Sequence, residues 1–261
     1  MSFLNTGFSV NGERSEDYGV VLVAKGDLVN QQFGVSSKAV REKIKYRDEP
    51  YSYGFERNIY NMPIAISKID SNDMKFTYEE RIRITKWLKG NDEFVEFCSD
   101  DYDEEHIFYL HFNSGDFENY SNNMGIVTFD CEMKYPYAMS PVLYDNFDLS
   151  DNNSSEMITL VNNSNVVDYY SPMIEFKLIG SNTGFKMINH TNNEEIFEFT
   201  GLTAGDTICI DNLNKRIKSS TGLPRLSNFN KKWLSLSYGI NQIEVFGACI
   251  LDVKSQFPMA L

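Results

Sequence analysis

The stretch Phe129-Asp-Cys-Glu-Met-Lys-Tyr-Pro-Tyr-Ala138 decides the fold class of this chain. Apolar and polar residues alternate up to Met133, as in a half-buried strand, and a Tyr-Pro-Tyr corner follows. Proline cannot donate to a sheet ladder and drives the preceding residue into extended geometry, so it closes the strand. A polar stretch rich in Asn, Asp and Ser comes next, and a second run of short strands begins at Met157. The sequence therefore predicts two β-rich modules in tandem.

These boundaries predict a first domain over residues 1–141, a linker over 142–156 and a second domain over 157–261. The second run consists of short apolar segments separated by turn signals such as Gly180, Asn192-Asn193 and Gly205-Asp206. Short strands at this spacing, without a helical period, favour an antiparallel sandwich. The expected fold class is mainly β, with two tandem sandwich-like or barrel-like domains.

One α-helix is predicted in the first domain. Thr77-Tyr-Glu-Glu80 is a capping box, in which Thr77 caps the helix and Glu80 reaches back to the Thr77 amide. Ile84, Trp87 and Leu88 then fall on one face, and Gly90 ends the helix. This helix is expected to cover one face or end of the first sheet.

Composition limits the function. The 261 residues carry a net charge of −13, which argues against tight nucleic-acid binding, because such binding needs a basic face. The N-terminus lacks the features of a signal peptide, and no run of ~18 apolar residues occurs. We expect a soluble protein that is made in a cytosol and does not insert into membranes. The four cysteines form no Cys-x-x-Cys pair, which argues against zinc, and Cys131, Cys209 and Cys249 are expected in the cores.

No pattern of residues indicates catalysis. His106, His111 and His190 are dispersed, and neither a nucleophile elbow nor a phosphate-binding glycine loop accompanies them. The expectation is a protein that is not an enzyme, with no catalytic residue, no metal site and no cofactor.

The sharpest charge feature is an acidic stretch beside His106. Its eight members are Asp92, Glu93, Glu96, Asp100, Asp101, Asp103, Glu104 and Glu105. Hard cations bind to clustered carboxylates, but the residue order of an EF-hand is absent here. A solvated hairpin loop is the simplest interpretation. A third interpretation is an acidic patch that meets a basic partner surface.

A basic stripe lies earlier in the chain. Between Lys38 and Arg47, four bases alternate with Val40, Glu42, Ile44 and Tyr46, which predicts a strand with these four bases on one face. The four are Arg41, Lys43, Lys45 and Arg47. This face could be solvated, could protect an edge strand, or could meet phosphate or an acidic neighbour. The opposite charges of the stripe and the acidic stretch suggest a contact between two copies of the chain. The candidate interface residues are Arg41, Lys43, Lys45, Arg47, Asp100, Asp101, Asp103 and Glu104.

Three aromatic residues of the second module, Tyr169, Tyr170 and Trp233, are candidates for stacking on a sugar ring. Trp233 alternates with Leu234 and Leu236, so a place in the core is the competing interpretation for it.

Several segments follow one another in an order and spacing shared with a known family. They begin with Phe8 to Val20, which holds an Asn-Gly turn and a Tyr-Gly-Val strand. The helix that ends in Trp87-Leu88, the Phe94-Val-Glu-Phe97 hairpin strand and the Pro-Tyr exit at Cys131 to Tyr137 come next. In the second module the segments are Asn162 to Asn165, Ser171 to Ile174, Gly205-Asp206, Ile210-Asp211 and Tyr238 to Asn241. On these segments the whole chain resembles the distal tail proteins of long-tailed phages and prophages of low-GC Gram-positive bacteria.

Two local features depart from the family pattern. The region Val40 to Arg47 is basic where a glycine-rich turn is frequent, and Tyr238 stands where proline is usual.

The resemblance implies a homo-hexameric ring at the virion tail tip, assembled in the cytoplasm of the host bacterium. In such rings the first domain surrounds the DNA channel, and the second, a galectin-like or carbohydrate-module-like sandwich, points outward. The implied partners are the tail tube protein, the tail-associated lysin or fibre hub, and receptor-binding proteins, with DNA only in passage. An acidic channel wall would let DNA slide, because few phosphates would be neutralised. The alternative function is a module that binds cell-wall glycans, and a wall hydrolase is the least supported.

Overall fold

The computed structural model describes residues 6–23, 37–59, 61–69, 75–90, 92–101, 106–119 and 125–260. The chain divides into two compact units, one formed by residues 1–140 with 259–261 and the other by 141–258. Both are mainly β, and the α-helix of the described residues lies in the first unit. The predicted fold class is confirmed.

The first unit is built on a seven-stranded antiparallel sheet with the strand order β2-β1-β7-β8-β9-β6-β3. The described elements of this unit are β1 (Phe8–Val10), β2 (Glu13–Arg14), β3 (Val20–Leu22), β4 (Ser37–Glu42), β5 (Tyr51–Arg57), β6 (Asn61–Lys68), α1 (Tyr78–Lys89), β7 (Val95–Ser99), β8 (Phe108–Asn119), β9 (Gly125–Met133) and β10 (Ala138–Met139).

The Asn11-Gly12 turn joins β1 to β2. Both residues adopt positive φ, 49° and 81°, which a two-residue hairpin turn of this type requires. Val10 pairs with Glu13, so the turn holds only these two residues. Asn11 also accepts a hydrogen bond from the amide of Glu96 through Oδ1, at 2.9 Å, which attaches the turn to β7.

The predicted capping box is present at the start of α1. Thr77 Oγ1 accepts from the amide of Glu80 at 3.2 Å, and Glu80 Oε2 accepts from the amide of Thr77 at 2.7 Å. Ile84 and Leu88 are buried in the first core. Trp87 stacks on Phe8 of β1, with ring centroids 5.4 Å apart, so the helix covers one face of the sheet.

Strands β4 and β5 form a separate two-stranded sheet, called the arm below and comprising residues 37–57. The prediction that four bases share one face of a strand is wrong. Strand β4 ends at Glu42, and Arg47 donates its amide to the carbonyl of Ile44 at 3.2 Å. Tyr46 has φ of 71°, which interrupts the extended geometry that alternation needs.

The second unit contains two sheets with the orders β11-β21-β14-β17-β18 and β12-β20-β15-β16, and a short pair β13-β19. The strands are β11 (Leu143–Leu149), β12 (Ser155–Asn162), β13 (Tyr169–Tyr170), β14 (Met173–Leu178), β15 (Phe185–Asn189), β16 (Glu195–Phe199), β17 (Thr207–Asp211), β18 (Arg216–Ser219), β19 (Leu236–Ser237), β20 (Gly239–Phe246), β21 (Cys249–Ser255) and β22 (Pro258–Met259). The last of these strands, β22, returns the chain to the first unit, in which Met259 lies; β22 pairs there with β10, and Met259 packs against the first core.

The linker predicted over residues 142–156 is wrong. Leu143–Leu149 is strand β11, which pairs with β21 over seven residues, and β12 begins at Ser155. Strand β11 lies at the edge of its sheet and buries only Leu149 fully, so it lacks the apolar alternation that reveals a strand.

The second core lies between the two sheets. Phe176 of one sheet stacks on Phe185 of the other, with ring centroids 3.9 Å apart. Cys249 is buried there, and burial raises the pKa of its thiol to about 12. The prediction of a buried Cys209 is wrong, because this residue is half-buried on the face of β17 that points away from the core.

Candidate assembly surface

The arm is the most exposed regular structure of the first unit. Every residue of β5 is exposed, and Phe55 and Tyr53 keep 75% and 66% of their surface. Tyr51 and Tyr53 share one face of β5, because Glu42 of β4 pairs with Tyr51 and accepts a hydrogen bond from the Tyr53 hydroxyl at 2.9 Å. Phe55 lies beyond a bulge at Gly54, whose φ is 103°, and therefore on the other face. The arm thus presents an aromatic face formed by Tyr51 and Tyr53.

None of the described arm residues belongs to the first core. A two-stranded hairpin is marginally stable in water by itself, and contiguous exposed apolar surface marks an interaction site. The aromatic face of the arm therefore needs a partner surface.

The bases of the predicted stripe lie at the end of the arm. Arg41 is in β4, whereas Lys43, Lys45 and Arg47 lie in the connection to β5. Arg47 lies 4.7 Å from the ring centroid of Tyr51. The arm carries six bases and four acids, which makes it weakly basic in a chain of net charge −13. Its charge can complement an acidic surface.

The acidic stretch is partly neutralised within the chain. Asp100 accepts two hydrogen bonds from Arg14, at 2.8 and 2.7 Å, and Arg14 also binds Glu16. The hydrogen bonds that Arg14 donates, first to Asp100 and then to Glu16, raise the pKa of Arg14, and the bond that Glu16 accepts from Arg14 lowers the pKa of Glu16. Asp101 accepts from Thr6 Oγ1 at 2.8 Å.

The candidate interface residues are therefore divided. Asp100 already has a bidentate partner, and Asp103 and Glu104 lie outside the described residues. The described part of the chain does not bring the four arm bases together with Asp100 or Asp101, which lie on the segment after β7.

The three aromatic candidates of the second unit lie in different environments. Tyr169 in β13 is 59% exposed. Tyr170 packs against Phe257, and its hydroxyl accepts from the amide of Gln256 at 2.9 Å. Trp233 packs on the second core, edge-to-face with Phe229. Tyr169 alone of the three keeps most of its side chain open to a ligand.

Metal sites and membrane-spanning helices are two further features to consider among the described residues. No group of three or more His, Cys, Asp or Glu side chains there is placed to hold a metal ion. None of the helices in those ranges is long and apolar enough to cross a bilayer.

Sequence reasoning missed the aromatic face of the arm. The alternation of Tyr51, Tyr53 and Phe55 predicts an ordinary strand with one buried face. The structure instead places a bulge at Gly54, which moves Phe55 to the other face, and none of the described arm residues belongs to the first core.

Comparisons with known proteins agree with this fold. A family model described as a phage tail protein N-terminal domain matches residues 3–133, and a model described as a phage tail C-terminal domain matches residues 137–255. No curated protein sequence matches the chain.

Solved structures extend the comparison. The SPP1 Dit protein, described as a paradigm of the hub adsorption apparatus in phages that infect Gram-positive bacteria, superposes with a TM-score of 0.65. The two chains are 13% identical, and the match covers 97% of this chain and 99% of that chain. A chain of the phage P2 baseplate in its activated conformation with Ca gives a TM-score of 0.45 and 8% identity, over 95% of this chain and 97% of that chain.

The matching models and the shared fold define a phage tail protein. The chain belongs to the phage tail family that these models describe, and the resemblance to distal tail proteins found in its sequence is confirmed by the fold shared with the SPP1 Dit protein.

Proposed function

We propose that this chain is the ring-forming hub subunit at the tip of a phage tail. Six copies close into a ring around the DNA channel, and the ring joins the tail tube protein to the tail-associated lysin or fibre hub. Receptor-binding proteins attach to the same hub, and the role is structural rather than enzymatic. The fold shared with the SPP1 Dit hub and the match to phage tail family models support this role.

The observation that carries the proposal is the exposed aromatic face of the arm. A projection on one copy that fits a different surface of the next copy makes a head-to-tail contact, and such contacts generate closed rings. Burial of exposed aromatic side chains supplies the free energy of this contact. The weak positive charge of the arm supports an acidic receiving surface, because the chain as a whole is acidic.

The first test is the mass of the full chain in solution, measured by light scattering with negative-stain imaging of the same fraction. We expect rings with a central hole and a mass six times the 30.0 kDa of one chain. The double variant Tyr51→Ser and Tyr53→Ser removes the two exposed tyrosines of the aromatic face. This variant is expected to shift the population to monomers.

Tyr144→Ser is the matched control, because Tyr144 is 70% exposed but lies on β11 of the second unit. Rings of unchanged mass in the arm variant would contradict the proposed contact. The charge reversal Lys43→Glu with Lys45→Glu tests the ionic part of the contact. It is expected to weaken assembly less than loss of the aromatics, and no change in mass would exclude an ionic contribution.

A further inference from the structure

A cleft of about 750 Å³ opens in the second unit beside Tyr169. Its walls come from the β15–β16 connection, from β16, and from the segment that follows Phe229. Ligand clefts for small molecules have volumes of about 300–1,000 Å³, so this cleft is large enough for one or two sugar rings.

The floor of the cleft is held by buried hydrogen bonds. Asn192, which is 9% exposed, donates to Ser235 Oγ at 2.9 Å. Ser235 Oγ in turn donates to Glu195 Oε2 at 3.3 Å. Asn189, fully buried, donates to the carbonyl of Ser235 at 3.0 Å. A satisfied network of this kind keeps the site in one shape before any ligand arrives.

The far wall is fixed in the same way. Asn230 donates its side-chain amide to the carbonyl of Ile196 at 2.8 Å and its backbone amide to the carbonyl of Glu198 at 3.0 Å. Its Oδ1 accepts from the amide of Lys232 at 3.0 Å. These bonds attach the segment that carries Lys232 to the edge strand β16.

The chemistry of the lining is that of a polyol site. Tyr169 offers an exposed ring with a hydroxyl at its tip, and Asn193 adds an amide that can both donate and accept. Glu194, Glu195 and Glu198 accept, and Lys232 donates. Sugar hydroxyls both donate and accept, so a mixture of this kind suits them.

Two observations narrow the class of ligand. In the described residues the carboxylates of the cleft form no group that could hold a metal ion. Three glutamates against one lysine give the cleft a negative field, which repels phosphate and carboxylate.

We infer that the cleft beside Tyr169 binds an uncharged hexose or a hexosamine, with the tyrosine ring as the stacking surface. The sugar ring that binds there can belong to a free sugar or to the end of a polysaccharide. The site is separate from the arm of the first unit, so sugar binding and ring assembly are independent properties of the chain.

The test is saturation-transfer NMR on the full chain with methyl glucoside, glucosamine and glucose 6-phosphate as probes. Methyl glucoside and glucosamine are expected to bind with dissociation constants on the order of millimolar, and glucose 6-phosphate is expected to bind at least about tenfold more weakly. A disaccharide of glucose is a further probe. If the disaccharide binds more tightly than methyl glucoside, the ligand is the end of a polysaccharide; if the two bind equally, the ligand is a free sugar.

Tyr169→Ala is expected to weaken binding at least about tenfold, whereas Tyr169→Phe keeps the stacking ring and most of the affinity. Tyr144→Ala is the matched control, since it removes an exposed tyrosine on another strand of the same unit. Circular dichroism and the thermal midpoint test whether each variant is folded. If Tyr169→Ala is not folded, Lys232→Met replaces it as the lining variant. Three results would overturn the inference. They are no sugar signal in the wild type, full binding in the folded lining variant, and equal binding of methyl glucoside and glucose 6-phosphate.

Discussion

The carboxylate of Asp206 lies at a turn before β17 with none of its side chain exposed. Arg225 Nη2 donates to it at 2.7 Å, and Ser219 and Ser220 donate through their hydroxyls at 2.9 and 2.8 Å. Burial alone would raise the pKa of Asp206, but the hydrogen bonds from Ser220, Ser219 and Arg225 outweigh it and lower that pKa. This residue therefore fixes the loop between β18 and Phe229 to the second core.

Asp206→Asn is expected to lower the free energy of unfolding by about 3 kcal/mol, because it leaves the Arg225 charge buried without a counter-charge. Urea unfolding of the full chain in a Trp87→Phe background measures this, since Trp233 then reports on the second unit alone. Asp151→Asn, at an exposed turn residue, is the control. Equal unfolding midpoints for the two variants would refute the role of Asp206.

The same pair predicts a pH dependence. The folded-state pKa of Asp206 lies below the unfolded value of about 3.9, so its contribution is complete above that pH and is lost as the pH falls through the folded-state pKa. The stability difference between the wild type and Asp206→Asn is therefore expected to be constant near neutral pH and to shrink below about pH 4. A difference that does not change between neutral and acidic pH would contradict the ionic explanation.

At the scale of elements, α1 owes its start to a local signal. The reciprocal bonds between Thr77 and Glu80 satisfy two amides that no helical carbonyl can reach. Glu80 also pairs with Lys68 of β6, with Oε1 2.9 Å from Nζ. The helix is thus connected to the sheet at the same residue that caps it.

Thr77→Ala is expected to lower the stability of the first unit by about 1 kcal/mol. Thr85→Ala is the matched control, because Thr85 is an exposed residue inside the same helix and alanine is a better helix former. Chemical unfolding followed by Trp87 fluorescence, in a Trp233→Phe background so that Trp87 is the remaining tryptophan, compares the two. If both variants unfold at the same denaturant concentration, the cap does not contribute.

Elements without a local signal could not be predicted. Strand β11 has polar residues at most of its positions because it lies at the edge of its sheet, and its pairing with β21 comes from residues about a hundred positions later. The end of β4 at Glu42 was missed because Arg41 to Arg47 keep a strict alternation, although Tyr46 turns the backbone. The bounds of such elements depend on strand register, turn geometry and position at a sheet edge. None of these can be derived from the residues of one segment alone.

At the scale of the whole molecule, the proposed contact between copies depends on the arm. Its aromatic side chains are exposed, whereas Asp100 of the acidic stretch is already held by Arg14 and Asp101 by Thr6. Contacts between exposed charges are screened over about 10 Å at 0.1 M salt and about 3 Å at 1 M, but apolar burial is not.

The ring is therefore expected to survive an increase from about 0.1 M to about 1 M sodium chloride with its mass unchanged. Light scattering of the same fraction at both salt concentrations measures this. Dissociation at the higher concentration would show that opposite charges, as the sequence first suggested for the basic stripe and the acidic stretch, hold the copies together.

The sequence by itself determined what is local or periodic: the Asn11-Gly12 turn, the capped helix, the end of β9 before the Tyr-Pro-Tyr corner, and the family pattern spread over the chain. These follow from interactions between residues a few positions apart. Only the tertiary structure decided which strand faces have a core beneath them, and so it revealed the aromatic arm, the pairing of Asp100 with Arg14 and the cleft beside Tyr169. The physical reason is that burial depends on segments far apart in the chain, and one alternating strand looks the same whether its apolar face meets a core, a partner or water.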